Sequence, residues 1–213
     1  LVAYGITLFG KKELISFRIA SSESQASWEA FLNDLYKRGL KGKNLKLIIT
    51  DGCKGLHAAI DTVYAYTKRQ HCWVHKLRNV SKYLRRIDQK KVLSEAKRIY
   101  KADTKREAVR LFKLWKKHWD KTYPKAVKCI ERDMDELLAF LEIPISCKYR
   151  ELVRKRIRTT NVIERAFREV RRRTRPMSCF TNTDSVNRII YAILTRLNTK
   201  WEDKPLKEFT QFI

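Results

Sequence analysis

The chain has 213 residues, with 48 Lys and Arg against 23 Asp and Glu, a formal charge of +25 and a pI near 10.1. That length suits one large domain, or one domain with an insertion, and an apolar content of 44% permits a packed core. The charge favours a polyanionic partner, because each cation that neutralises a phosphate releases counterions. A helical membrane span is excluded: no apolar run approaches the roughly 20 residues it needs, and no signal peptide is visible.

The first elements alternate. Val2, Tyr4, Ile6 and Leu8 share one face of a predicted strand, Phe9-Gly10-Lys11-Lys12 is a turn signal, and Ile15, Phe17 and Ile19 share one face of a second strand, so the pair reads as an antiparallel hairpin. Ser21 to Ser24 offer caps for a helix whose apolar positions are Trp28, Phe31, Leu32 and Leu35, and Arg38-Gly39 ends it. A short apolar run, Leu45, Leu47, Ile48 and Ile49, then stops at Asp51-Gly52 and reads as a buried strand. Leu56, Ala59, Ile60 and Val63 mark the next helix, and a second extended piece ends in Cys72-Trp73-Val74-His75. A hairpin followed by helical crossovers predicts an α/β fold with a mixed sheet.

From about Val74 the pattern is helical. Leu77, Val80, Leu84 and Ile87 form one stripe, Leu111, Trp115 and Trp119 a second, and Met134, Leu137, Leu138 and Leu141 a third, with no strand pattern between Lys76 and Glu142. This all-helical segment ends at Pro144, and its tryptophans read as packing between helices. In the block from Tyr149 to Arg175, eleven of 27 residues are Arg or Lys. Thr159-Thr160-Asn161 is a capping cluster, Asn161 and Glu164 have capping-box spacing, and the helix that follows is expected to bury Ile163, Phe167 and Val170 until Pro176 ends it. A last helix has Val186, Ile189, Ile190, Ile193, Leu194 and Leu197 inward, with Asn182 and Thr183 as caps. Cysteines at 53, 72, 129, 147 and 179 are odd in number and widely spaced in a chain too large to need staples, so they read as free thiols of a reducing compartment.

Three places could carry chemistry. Asp51, at the end of a buried strand, sits where side chains can converge on a metal ion; as a plain reading, Asp51-Gly52 is a turn and an N-cap. Glu164 is an acid inside the most basic stretch, either a capping carboxylate or an i, i+4 partner of Arg168, or a metal-ligating carboxylate among arginines that hold phosphates. Cys72-x-x-His75 invites a zinc reading, but a structural zinc site needs four ligands and the second pair is missing, which leaves a buried thiol and a hydrogen-bonded imidazole near the Asp51 strand.

At these residues the chain resembles the Mutator-type bacterial insertion-sequence transposases. The resemblance rests on Asp51-Gly52-x-Lys54-Gly55-Leu56, on Gln70-x-Cys72-x-x-His75-Lys76-x-x-Asn79, and on Thr159-Thr160-Asn161-x-Ile163-Glu164-Arg165 continuing through Glu169-x-Arg171-Arg172-Arg173-Thr174-Arg175, in that order across about residues 1 to 200. It implies an RNase H-like core with a helical insertion, divided as 1–78 and 148–202 for the core, 79–147 for the insertion and 203–213 for a tail. It implies an Asp, Asp, Glu triad in which Asp51 is the second aspartate and Glu164 the glutamate, both on Mg²⁺ or Mn²⁺. It makes Cys72, His75, Thr160 and Asn161 signature residues, and Arg165, Arg168, Arg171, Arg172, Arg173, Arg175, Lys76 and Arg78 contacts to DNA. It implies two-metal strand cleavage and transfer at insertion-sequence ends by a homo-oligomer on DNA, in the prokaryotic cytoplasm and associated with the nucleoid. The family's first aspartate precedes the hairpin and no residue here matches it; Asp34 and Asp61 lie on helix patterns. The expectation is therefore a fragment that binds DNA and is a poor enzyme alone. The rival expectation is a non-catalytic nucleic-acid-binding protein that uses the arginine-rich helix.

Overall fold

The structure, a computed structural model, describes every residue except 146, 178, 179, 181 and 210–213, and only the backbone of residue 147. Strands β1 (Val2–Ile6) and β2 (Lys12–Phe17) pair antiparallel, Val2 opposite Phe17 and Ile6 opposite Lys12. Their connection needs Gly10: its φ is +77°, and a Cβ there would stand 2.3 Å from the Leu206 carbonyl oxygen. The alternation expected for Ile15, Phe17 and Ile19 does not hold. Ala3 pairs with Ser16 but Tyr4 with Leu14, so Ile15 is the extra residue of a bulge. Ile15 turns toward one apolar cluster while Leu14 and Phe17 turn toward another, and Ile19 is exposed.

Helix α1 (Gln25–Lys37) starts at Ser24, whose hydroxyl accepts the Ser27 amide at 3.3 Å, and it buries Phe31, Leu32 and Leu35. Those side chains meet Ala59 and Ile60 of α2 (Lys54–Val63). Helix α2 is the crossover between β3 (Ile48–Thr50) and β4 (Arg69–His71), which pair in parallel with Thr50 opposite His71. The single mixed sheet expected from the sequence is instead two separate two-stranded sheets among the described residues. Side chains join them: Leu1, Ala3 and Ile15 of the hairpin share the α1–α2 cluster with Ile48.

Beyond β4 the expected extended piece ends early. Helix α3 (Trp73–Ser81) begins directly after Cys72, so Trp73, Val74 and His75 are its first turn; the i, i+4, i+7 spacing of Trp73, Leu77 and Val80 seats all three in the core. They join α4 (Arg86–Ile99), α5 (Lys105–Trp119), α6 (Pro124–Glu131) and α7 (Met134–Leu138) in the largest cluster, so α3 crosses the boundary drawn at residue 78 and packs with the helical segment. Trp115 and Trp119 are buried there, their indole N–H groups donating to the Val92 carbonyl at 3.1 Å and to Glu95 at 2.7 Å. Ile87 is 85% exposed, not part of the Leu77 stripe, because α3 stops at Ser81 and the phase restarts at Arg86.

After α8 (Arg150–Ile157), helices α9 (Asn161–Thr174) and α10 (Thr183–Glu202) cover the hairpin. Of α9 only Ala166 is fully buried; Val170 packs beside it, and Phe167, expected inside, is exposed. Asn182 caps α10 by accepting the Ser185 amide at 2.8 Å. Cys53, Cys72 and Cys129 are free, as read; the Cys147 side chain and Cys179 lie outside the described residues. No described helix is long and apolar enough to cross a membrane.

Candidate active site

Asp51 follows β3 directly and its side chain is exposed at the strand's end. It also shapes a turn, since its Oδ1 accepts the Cys53 amide at 3.2 Å, so the turn and the strand-end carboxylate are one feature. Gly52 makes the turn possible: φ is +96°, and a Cβ would lie 2.3 Å from Nε2 of His71. Behind the turn, the Thr50 hydroxyl and Nε2 of His57 are 2.8 Å apart, and the Thr50 carbonyl accepts the Cys72 amide at 2.8 Å.

Glu164 stands on the first turn of α9. The capping box does not form: Thr160 is the N-cap, Asn161 the first helical residue, and the Thr160 side chain makes no cap bond. Instead the Thr160 amide and hydroxyl donate to the Cys72 sulfur at 3.3 and 3.4 Å, and the hydroxyl is 3.4 Å from Nδ1 of His75. Glu164 Oε1 lies 3.3 Å from His75 Nε2, and Oε2 lies 4.0 Å from the Arg78 guanidinium. Oε1 is buried and makes no hydrogen bond, so the imidazole is in charge-pairing range only. Among the described ion pairs, Glu164 pairs with α3 and not with Arg168 on its own helix.

The electrostatics join the two acids. The hydrogen bond to Cys72 does most to raise the His75 imidazole above its ordinary value; burial opposes this, and the charges of Cys72, Glu164 and Asp51 add to the rise. Burial would push the Cys72 thiol up, but its bonds with His75 and Thr160 bring it down. Of the two acids, 113 positions apart in sequence, Glu164 touches this imidazole and the Asp51 charge adds the smallest part of the rise. Two carboxylates, one with a buried oxygen that makes no hydrogen bond, are the hard donors Mg²⁺ or Mn²⁺ takes, and Mg²⁺ is commonly held by one or two carboxylates plus phosphate oxygens. No group of three or more His, Cys, Asp or Glu among the described residues is arranged to hold a metal ion, so the two acids supply two ligands and not a complete set.

The basic residues divide. Lys76 does not face a nucleic acid: it is 1% exposed, pairs with Asp133 and donates to the Cys129 carbonyl at 3.3 Å. It lies three residues after Trp73, on the buried face, and this helical spacing was the sequence signal for its burial. Arg78, from the same helix, is largely exposed and points at Glu164. On α9, Arg165, Arg168, Arg171 and Arg172 are exposed, as is Arg175 just beyond it, whereas Arg173 is half-buried. Arg168, Arg171 and Arg175 follow Glu164 at i+4, i+7 and i+11, which strings them along its side of the helix at about 6, 10 and 17 Å of axial rise. Sequence reasoning missed Asp133, the partner of Lys76, and Arg158, whose carbonyl accepts the Trp73 amide at 3.1 Å; pairings across 57 and 85 positions leave no local signal.

The sequence profile of the Mutator family of transposases matches residues 1–204. The chain is 36% identical over 202 residues to the transposase for insertion sequence element IST2 of Acidithiobacillus ferrooxidans, covering 94% of this chain and 66% of that protein. It is 37% identical over 202 residues to the transposase for IS406 of Burkholderia multivorans, with 94% and 50% covered. It is 33% identical over 204 residues to the transposase for IS256 in transposon Tn4001 of Staphylococcus aureus, again with 94% and 50% covered. The chain therefore spans about half to two thirds of the length of these relatives. With a profile match over nearly its whole length, the chain belongs to the Mutator family of transposases.

Proposed function

We propose that this chain is catalytic-core sequence of an insertion-sequence transposase, an RNase H-like unit that cuts and joins DNA at the element's ends. The observation that carries the reading is the contact of Glu164 with His75 on α3, the helix entered from the strand that pairs with the one before Asp51, beside exposed arginines of α9. Asp51 and Glu164 are the residues that would hold Mg²⁺ or Mn²⁺, which supplies Lewis-acid chemistry at a phosphodiester when bound. Arg78 faces the carboxylate from α3, while Arg168, Arg171 and Arg175 lead away from it along α9, so a strand with one phosphate at the acids has its next phosphates over guanidinium groups. Arg165 and Arg172, on the adjacent row, widen that track. In this reading the two acids are two of a triad whose first aspartate no residue of this chain matches. The β3–α2–β4 unit and the hairpin supply the α/β core, and α4 to α7 form the insertion before the helix that bears Glu164. Binding two DNA ends calls for a homo-oligomer.

The test is substitution at the two acids in a full-length relative. Asn at the position of Asp51, or Gln at that of Glu164, removes strand cleavage and leaves DNA binding within about threefold, since neither change removes a cation. Cleavage that survives either change sinks the catalytic assignment and leaves a DNA-binding protein built on α9.

A further inference from the structure

One residue links the strand that ends at Asp51 to the helix that carries Glu164. The Cys72 amide donates to the carbonyl of Thr50, the neighbour of Asp51, at 2.8 Å. The Cys72 sulfur accepts from both the amide and the hydroxyl of Thr160, the N-cap of α9, at 3.3 and 3.4 Å. The same hydroxyl lies 3.4 Å from Nδ1 of His75, whose Nε2 is 3.3 Å from Glu164 Oε1. A backbone bond from the Trp73 amide to the Arg158 carbonyl, 3.1 Å, runs alongside. Cys72 has no exposed surface, so its thiol is neither an open nucleophile nor a solvent-facing ligand. Its place at the N-cap of α3 puts His75 one turn on and on the same side, so sulfur and imidazole meet the start of α9 together.

We propose that Cys72, His75 and Thr160 are positioning residues: they pin the N-terminus of α9 to the junction of β4 and α3, beside the end of β3, and so set where Glu164 stands relative to Asp51. The Thr160 hydroxyl is spent on this contact and not on capping its own helix, which leaves the start of α9 dependent on Cys72 for its anchorage. The catalytic meaning of the clasp rests on the function proposed above; the clasp itself does not.

The experiment uses the 213-residue chain with Cys72→Val, Cys72→Ser and Thr160→Val, read by amide hydrogen exchange and by Mn²⁺ binding in calorimetry. Val fills the space of Cys72 but accepts no hydrogen bond; Ser accepts one. Cys72→Val and Thr160→Val are expected to speed exchange of the amides of residues 160–164 by about tenfold while those of α10 stay unchanged. They are expected to weaken Mn²⁺ binding by roughly 10- to 100-fold, as loss of an outer-shell partner does. Cys72→Ser restores both to within about threefold of the parent. Unchanged exchange in Cys72→Val overturns the clasp and makes Cys72 plain core packing. Faster exchange with Mn²⁺ binding unchanged upholds the clasp and overturns its role in setting Glu164 relative to Asp51.

Discussion

Lys76 and Asp133 form a buried pair whose carboxylate also takes the Arg132 guanidinium at 2.8 Å. Burial works against the Asp133 charge, but Arg132 and Lys76 outweigh it and hold the carboxyl at about 2. Removing the ammonium leaves that carboxylate short of a partner, so Lys76→Met lowers unfolding free energy by about 3 kcal/mol in urea titration and leaves the salt slope of DNA binding untouched. Next to the pair, burial first and the Lys76 charge second push the His71 imidazole down from 6.5 to about 4. A folded value below the unfolded one gives stability that is complete above pH about 6.5 and is lost as pH falls through about 4. Urea titrations at pH 7, 5 and 4 therefore show a loss on the order of 2–3 kcal/mol that His71→Asn abolishes. At Gly52 the constraint is space as well as backbone: Ala there needs φ of +96° and meets the His71 ring, so Gly52→Ala costs at least about 2 kcal/mol.

At the scale of elements, α9 does two jobs with two faces. Ala166 and Val170 seat it on the hairpin and α10, while Arg168, Arg171 and Arg175 stay exposed in a row that starts at Glu164. Surface arginines contribute little to folding, so the triple Arg→Ala change alters stability by no more than about 0.5 kcal/mol per site. It lowers the slope of log K against log salt for duplex DNA by up to about 0.9 per lost phosphate contact. An unchanged slope would show that the row meets no phosphate. The other half of that packing is held by a side-chain amide. Asn198 of α10 accepts the Leu14 amide at 2.9 Å and donates to the Leu14 carbonyl at 3.1 Å, filling the backbone bonds that the outer edge of β2 leaves open. Asn198→Ala orphans both groups and is expected to cost about 1–3 kcal/mol by thermal or urea unfolding.

At the scale of the whole molecule, the described residues form four apolar clusters in a strongly basic chain: α1–α2 against the hairpin, α9–α10 against its other face, the helices from α3 to α7, and Val153 of α8 with Leu206 and Phe209. A charge of +25 on such a body predicts DNA affinity that falls steeply with salt, by about 10³- to 10⁵-fold between 50 and 200 mM if six to ten phosphates are met. Titration of fluorescent duplex at those two salts checks it. The amino-acid order by itself determined most element types, because each rests on local period and caps: α1 from Ser24 and Trp28 to Leu35, α10 from Asn182 and its six apolar positions, and the strand-free succession of helices through residue 142. It also marked Asp51 and Glu164 by context, one after an apolar run and the other alone among arginines. Only the tertiary structure decided what faces what. A one-residue bulge sent Ile15 and Phe17 to different clusters, and α3 placed Lys76 inward and Arg78 outward two residues apart. The hydroxyl of Thr160 went to Cys72 and not to its own helix. The outcomes at Lys76, Arg78 and Thr160 depend on partners 57 to 88 positions away, and hydrogen bonds and ion pairs between distant segments are settled by which surfaces the packed core brings within 4 Å, a quantity no local window contains.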